Sequence, residues 1–299
     1  MKSGRPSRAL LIVAVLTAGL TWPLAFVLWR TGEQGFAASL FLLGASLGPC
    51  LAAYALVPTR RKQAARHVVL VTGGLCIMAF AVLGAVNLDL EGFFMLLMKA
   101  SMGAAVGHTM VTLVLGPLLC GRFLCGWGCW RSMILELLPV GRGKGRRVGV
   151  WKLLPYVGLA LSFGGAAASL LVFGHHPGGT PAAMHAASVR AILAGFAIYY
   201  AASIGLALAL QDQRAFCKYL CPSAVILGLT SRLSLFKMTP DSQLCNACGA
   251  CSRVCPMDVD VARFAAAGLR VQSGQCIICQ RCAHACPTGA LRFAARPVR

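Results

Sequence analysis

Two runs of cysteine near the end of the 299-residue chain have the spacing of metal ligands. Cys245, Cys248, Cys251 and Cys255 precede Pro256, and Cys276, Cys279, Cys282 and Cys286 precede Pro287. Both runs read Cys-x2-Cys-x2-Cys-x3-Cys-Pro, the spacing of bacterial 4Fe-4S proteins. The short spacings let three thiolates wrap one corner of a cluster, and the proline then turns the chain away.

The two runs are expected to share their ligands. In this motif three thiolates bind one cluster, and the cysteine before the proline binds the other. We therefore assign Cys245, Cys248, Cys251 and Cys286 to one 4Fe-4S cluster, and Cys276, Cys279, Cys282 and Cys255 to a second. Four thiolates also suit tetrahedral zinc, but zinc motifs usually offer two separated cysteine pairs. The tail offers no base or nucleophile for bond chemistry, so we predict a one-electron relay.

Two more cysteine pairs lie upstream in a repeated segment. Arg122-Phe-Leu-Cys125-Gly-Trp-Gly-Cys129 and Arg214-Ala-Phe-Cys217-Lys-Tyr-Leu-Cys221 share the pattern Arg-x-x-Cys-x-aromatic-x-Cys, 92 residues apart. Residues four apart on a helix share a face, so each segment is expected to present two thiols together. Four converging thiols would suffice for a metal or a third cluster, with Cys120 as a spare. The alternative is that these cysteines only pack, as we expect of Cys50 and Cys76.

The composition indicates a membrane protein. Hydrophobic residues make up 58% of the chain and charged residues only 12%. The formal charge of +20 would suit nucleic acid or a membrane surface, but the basic residues lie between apolar stretches of spanning length, which excludes nucleic acid as the partner. Fifteen cysteines, most of them at ligand spacing, need a reducing compartment.

Six apolar stretches are long enough to cross about 30 Å of hydrocarbon. They are Ala9–Trp29, Phe36–Val57, Val68–Val86, Phe93–Leu119, Val150–Phe173 and Val189–Leu210. The basic residues of the intervening loops fall mainly on one side: Lys2, Arg5, Arg8, Arg60, Arg61, Lys62, Arg66, Arg122, Arg131, Arg142, Lys144, Arg146, Arg147, Arg214 and Lys218. Asp89 and Glu91 fall in a loop on the other side. The positive-inside rule then predicts a multi-pass protein of the bacterial inner membrane with both termini in the cytoplasm.

These observations predict an α-helical integral membrane bundle of about six transmembrane helices with a C-terminal ferredoxin-like module holding two 4Fe-4S clusters. The transmembrane domain covers residues 1–222, and its two Cys-x3-Cys motifs lie at the cytoplasmic face. An interfacial helix covers 223–236, and the double-cluster domain covers 237–299.

At these motifs the chain resembles the NapH/MauN family of membrane ferredoxin-type proteins. That family combines membrane spans, Cys-x3-Cys-Pro pairs at the cytoplasmic face and a C-terminal double-cluster module, and the match covers nearly the whole chain. Cys129 is followed by Trp130 where the family has proline, and this variant is closer to the methylamine-utilisation branch than to the nitrate-reduction branch. The resemblance implies the membrane component of a quinol dehydrogenase, which serves a periplasmic redox system or its maturation.

The electron route through the membrane is less defined by the sequence. There is no Cys-x-x-Cys-His for covalent haem, and His108 is the only histidine deep in a predicted span. Electrons would thus move with a quinone or through a partner subunit, and His108 either bonds the quinone or makes an interhelical hydrogen bond. The basic tail is expected to attract the anionic leaflet or an acidic redox partner. Two alternatives remain: a metal-handling or cofactor-maturation protein that uses the upstream cysteine pairs, and an anchor that recruits a soluble ferredoxin.

Overall fold

A computed structural model describes residues 8–32, 34–98, 109–141, 143, 145, 149–173 and 181–295. The described chain is mostly helical. Its helices are α1 (Arg8–Arg30), α2 (Gln34–Leu56), α3 (Lys62–Leu83), α4 (Leu90–Met98), α5 (Gly116–Cys120), α6 (Phe123–Trp127), α7 (Trp130–Leu135), α8 (Leu154–Phe173), α9 (Pro181–Leu210), α10 (Ala215–Tyr219), α11 (Ser223–Thr230), α12 (Ala250–Arg253), α13 (Val261–Ala266) and α14 (Arg281–His284). Two strands, β1 (Lys237–Pro240) and β2 (Leu291–Ala294), a π-helical stretch (Val111–Leu115) and short 3-10 turns at Thr59–Arg61, Gly149–Lys152, Ser231–Leu233 and Ser242–Leu244 complete it.

Three helical stretches of the described residues are long and apolar enough to cross a membrane. They are Thr59–Leu83, Leu154–Val172 and His185–Leu210. A fourth would be the pair Val111–Cys120 and Phe123–Leu135, if its two halves form one broken span. Helices also occupy the first two predicted stretches, as α1 and α2. The count of six spans stays a prediction, because the fourth predicted stretch includes residues 99–108, which lie outside the described residues.

The bend in this pair brings the first upstream cysteine segment against the tail. Its two halves meet at an angle of 90°. Gly121 turns the chain with a positive φ of 56°, a backbone conformation that residues other than glycine rarely adopt. A Cβ at this position would also lie 3.1 Å from the Ile278 side chain of the tail. The bend therefore needs glycine both for its backbone conformation and for its close contact with the second cysteine run.

The tail is closed by its two strands, which pair antiparallel with Lys237 opposite Ala294 and Pro240 opposite Leu291. Both cysteine runs lie between these strands in sequence. A single hydrophobic core joins the tail to the helical part, since Leu135 and Phe216 of the helices lie in one buried cluster with Ile278 and other tail residues. The predicted interfacial helix is shorter than expected: α11 ends at Thr230, and one 3-10 turn follows it.

Candidate iron-sulfur centres

The first candidate centre is a cavity in the tail. The residues that line it include Cys245, Cys248, Cys251 and Cys286. Three of these cysteines belong to the first run and the fourth ends the second run, so the structure brings together the set that the spacing predicts. Four thiols around one cavity fit a 4Fe-4S cluster, because each thiolate binds one of its four irons.

The second candidate centre groups Cys276, Cys279 and Cys282 with Cys255. Cys282 lies within electrostatic range of the other three and of Cys251, so the two centres are neighbours. Burial raises the pKa of Cys276 to about 12, and a thiolate there therefore needs positive charge beside it. Bound iron would supply that charge, because metal coordination deprotonates a thiol.

The backbone repeats between the two runs. It is left-handed at Ala247 and Gly249 in the first run and at the equivalent Ile278 and Gln280 in the second. A four-residue helix follows each left-handed pair, as α12 and α14. Identical spacing thus gives an identical local fold, although the residues between the cysteines differ.

The last cysteine of each run accepts the same kind of backbone hydrogen bond. The Val259 N–H donates to Cys255 Sγ, and the Ala290 N–H donates to Cys286 Sγ, each at 3.4 Å. Burial acts to raise the pKa of Cys286, but donors from Thr288 and the backbone outweigh it and lower the pKa below its usual value. Such donors stabilise the charged form, which suits Cys286 to act as a thiolate, and Cys255 receives the same kind of backbone donor.

Backbone contacts hold the second run against the helical part. Trp127 Nε1 donates to the Ile278 carbonyl at 2.9 Å. A Cβ at Gly126 would lie only 2.4 Å from the Ile277 carbonyl oxygen, so the two backbones approach more closely than any side chain permits. The OH of Tyr54 lies 2.8 Å from His284 Nε2. The second centre is therefore docked on the helices through α2 and α6.

A buried carboxylate, Glu136, gathers cations from distant parts of the chain, and we name this group the Glu136 hub. Arg66 of α3 and Arg214 form ion pairs with it, His67 lies 2.7 Å away, and Arg281 of the second run lies 3.4 Å away. Burial would raise the pKa of Glu136, but Arg214, His67 and Arg66 outweigh burial and hold the pKa well below its usual range. The hub thus ties the second run to the helices by charge.

A second buried ion group ties the turn after the first run to α10. Lys218 Nζ lies 2.6 Å from a carboxylate oxygen of Asp212 and 2.6 Å from one of Asp258. Its side chain is fully buried. Sequence reasoning missed both ion groups. The signal for them was the scarcity of acids, since a chain with 28 basic and 8 acidic residues is expected to pair its buried carboxylates.

The four upstream thiols, Cys125, Cys129, Cys217 and Cys221, are also brought together. Cys125 lies in electrostatic range of Cys129 and Cys217, and Cys221 in range of Cys217 and Cys125. The expectation that each pair lies on one helical face is wrong, because α6 ends at Trp127 and α10 at Tyr219, before the second cysteine of each pair. The two segments nevertheless repeat each other: both five-residue helices follow an arginine and carry their first cysteine in third position.

A polar cluster that the sequence analysis did not predict lies beside these thiols. Arg131 pairs with Asp89 at 2.5 Å and stacks on Tyr199, with its guanidinium carbon 4.0 Å from the ring centre. Glu91 accepts hydrogen bonds from Tyr199 and, at 2.7 Å, from Ser162. The prediction that Asp89 and Arg131 lie in loops on opposite sides of the membrane is therefore wrong. Side chains that form an ion pair cannot be separated by about 30 Å of hydrocarbon.

The remaining cysteines lie apart from these groups. Cys76 Sγ lies 3.0 Å from Ser46 Oγ, between α2 and α3, and Cys50 is 4.0 Å from Thr72. His108 lies outside the described residues. Among the residues that are described, no three His, Cys, Asp or Glu side chains form a group that could hold a single metal ion. Each thiolate of a 4Fe-4S cluster binds a different iron, so this finding concerns single ions.

Comparison with known proteins defines the class of the tail. Residues 237–287 match the family model of the 4Fe-4S dicluster domain, which begins at the first residue of β1. The chain therefore carries a dicluster domain of iron-sulfur electron transfer behind a mostly helical part.

Particular relatives extend this similarity. The chain is 27% identical over 202 residues to the uncharacterized protein MJ0749 of Methanocaldococcus jannaschii, a match of 64% of this chain and 74% of that protein. It is 26% identical over 221 residues to MJ0750 of the same organism, covering 66% and 82%. It is 31% identical over 93 residues to the "Putative electron transport protein YccM" of Escherichia coli, covering 31% of this chain and 25% of that protein. No solved structure matches the chain.

Proposed function

We propose that the protein is a membrane-bound electron-transfer protein of the NapH/MauN type, which passes electrons between the quinone pool and a redox partner through two 4Fe-4S clusters. One observation carries the proposal: the second centre is docked on the apolar helices, while the first faces outward. Cys248 of the first run is exposed, whereas Cys279 and Cys282 of the second run are buried. An electron would thus enter through the docked centre and leave through the exposed one, or follow the reverse course.

The polar cluster at Glu91 supports a quinol as the partner on the membrane side. Oxidation of a quinol releases protons as well as electrons, so it needs a proton acceptor near the first electron acceptor. Glu91 binds Tyr199, which contacts Trp130 in the segment that packs against the docked run. In the described part of the chain its second oxygen has no hydrogen-bond partner. A buried carboxylate oxygen without a hydrogen-bond partner is costly, which marks Glu91 as a candidate functional group.

The exposed face of the first centre supports an acidic redox partner. Arg253 and Arg263 are exposed near it, and Arg253 donates to the Cys248 carbonyl at 2.9 Å. Positive potential speeds the encounter with a negatively charged protein. A ferredoxin-type protein is the partner that we propose for this exposed face. A periplasmic redox system of the methylamine-utilisation or nitrate-reduction type would be served across the membrane through the quinone pool. We propose the inner membrane as the location, both termini in the cytoplasm, and domains at 1–222, 223–236 and 237–299.

The test uses anaerobic full-length protein in lipid nanodiscs. Added ubiquinol or menaquinol should reduce the clusters, as followed by EPR, and Glu91→Gln should slow the reduction at least tenfold while dithionite still reduces both clusters. The matched control is Asp241→Asn, an acid that caps the 3-10 turn after β1, where asparagine can still accept the hydrogen bond, so the rate should stay unchanged. Reduction by dithionite with none by either quinol would refute the quinol as donor and leave the clusters in place.

The metal-handling alternative draws on the four upstream thiols, which the structure brings together beside the second centre. Bound copper in the purified protein would favour that function over electron transfer to a partner. The metal content of these thiols decides the question.

A further inference from the structure

Three buried arginines surround the four upstream thiols. Arg122 and Arg214 are each 1% exposed, and Arg131 is 6% exposed. Arg214 donates to Cys217 Sγ at 3.9 Å and to the Cys125 carbonyl at 3.1 Å. Arg131 lies in electrostatic range of Cys129 and Cys221. Cations are rarely buried without anionic partners, so each of these arginines needs a counter-charge.

Two of these arginines also have carboxylate partners. Arg131 pairs with Asp89, and Arg214 pairs with Glu136. Arg122 differs: in the described part of the chain no carboxylate forms an ion pair with it. It donates to the Gly274 carbonyl and to Gln275 Oε1, both neutral, and its buried Nε has no partner there.

The ionisable groups that act most strongly on the Arg122 guanidinium are the thiols of Cys125, Cys221 and Cys217. If these groups were neutral packing thiols, a buried guanidinium would remain uncompensated, which is strongly unfavourable. If they are metal-bound thiolates, Arg122 has its counter-charge. Packing alone therefore does not account for the arginine that begins the repeat.

We propose that Cys125, Cys129, Cys217 and Cys221 hold a third iron-sulfur cluster, whose net negative charge Arg122 balances. An all-sulfur donor set suits zinc or an iron-sulfur cluster. Its position favours the cluster, since Gly126 and Trp127, which follow Cys125 directly, contact the second run at Ile277 and Ile278. The proposal goes beyond the proposed function, which needs only two clusters.

The test measures iron, sulfide, zinc and copper in full-length protein purified anaerobically in detergent. The natural chain should contain about twelve iron atoms, and Cys125→Ala with Cys217→Ala should contain about eight, since each cluster has four. Replacing all four thiols should remove no more iron than this pair, because ligands of one centre act as a unit. The control is Cys50→Ala with Cys76→Ala, which should keep about twelve.

Arg122 provides a second readout that keeps the natural ligands. Arg122→Gln should shift the midpoint potential of the third cluster to a lower value, because loss of a cation disfavours the reduced, more negative form. Arg122→Lys should restore it, and the potential of the exposed first cluster should stay unchanged in both. About eight iron atoms in the natural chain would refute the third cluster and leave the proposed function intact. Zinc or copper that is lost on replacing Cys125 and Cys217 would also refute it.

Discussion

The two cysteine runs of the tail share their spacing and backbone but differ in their surroundings. Ile277 and Ile278, between the first two cysteines of the second run, are 2% and 3% exposed and contact the helices. The first run has Asn246 and Ala247 at the equivalent positions, and both are exposed. Arg281 lies 3.4 Å from Glu136 of the hub. The equivalent residue of the first run is Ala250, which is uncharged and cannot form such an ion pair.

This difference shows that ligation and placement are encoded by different residues. The cysteines and the left-handed positions set the two metal sites and are the same in both runs. The residues between the cysteines decide which run faces the helices and which faces outward. An internal duplication can thus yield one docked and one exposed centre by changes at only a few positions.

Removing one crossing ligand should give the largest effect. Cys255→Ala should lose about four iron atoms and show the same EPR spectrum as Cys279→Ala, because both cysteines serve the docked centre. Cys286→Ala should instead match Cys248→Ala. If Cys255→Ala matched Cys248→Ala, each run would bind its own cluster and the crossed grouping would be wrong.

Removing the hub carboxylate should destabilise the protein strongly. Glu136→Gln leaves Arg66, Arg214 and Arg281 without their shared anion, and breaking such a buried group costs about 3–5 kcal/mol. The measurement is thermal unfolding in detergent, with Asp241→Asn as the near-neutral control. Because the pKa of Glu136 is held low, its contribution is present in full above about pH 5 and is lost as the pH falls further, so the difference between the two proteins should shrink in acid.

Filling the close backbone contact should affect the docked centre alone. Gly126→Ala puts a methyl group 2.4 Å from the Ile277 carbonyl oxygen and should cost about 1–3 kcal/mol. The EPR signal of the docked cluster should change, while that of the exposed cluster should not. Gly141→Ala is the matched control, since a Cβ there meets nothing within 4 Å. Equal changes in both signals would mean that the two centres are docked alike.

The smallest effect is expected at Tyr54. Tyr54→Phe removes the hydrogen bond to His284 of the docked run, which should cost about 1 kcal/mol in thermal unfolding. Tyr156→Phe, at an exposed position, should cost nothing measurable. An unchanged melting temperature in Tyr54→Phe would show that the docking of the second run does not depend on this bond.

The sequence predicted the features that depend on local spacing. The dicluster domain was expected from residue 237, which is where the family match and β1 begin. Among the described residues, helices overlap all six predicted apolar stretches, because a long apolar segment that enters lipid has few other stable forms. The motif also predicted a crossed grouping of the eight tail thiols, and the four cysteines that line the tail cavity are one of its two sets.

Features that depend on long-range contacts were not predicted. One missed feature was local, since Gly128 ends the helix between Cys125 and Cys129 and glycine commonly ends helices. The positive-inside rule placed Asp89 and Arg131 on opposite sides of the membrane. It treats charged residues as exposed loop residues, whereas these two form an ion pair among the helices. Glu136 drew no attention because its partners lie 70, 78 and 145 residues away in sequence.

Because the residues of the Glu136 hub lie far apart in sequence, they become available at different times during synthesis of the chain. Chains are made from the N-terminus and fold progressively, so Arg66 and Glu136 are available long before Arg281 leaves the ribosome. Until then the hub lacks its last cation, and the helical part has no second run to cover Gly126 and Trp127. Iron supplied before the hub closes would meet undocked cysteines, and Arg281, on joining the hub, would then hold the second run against the helices.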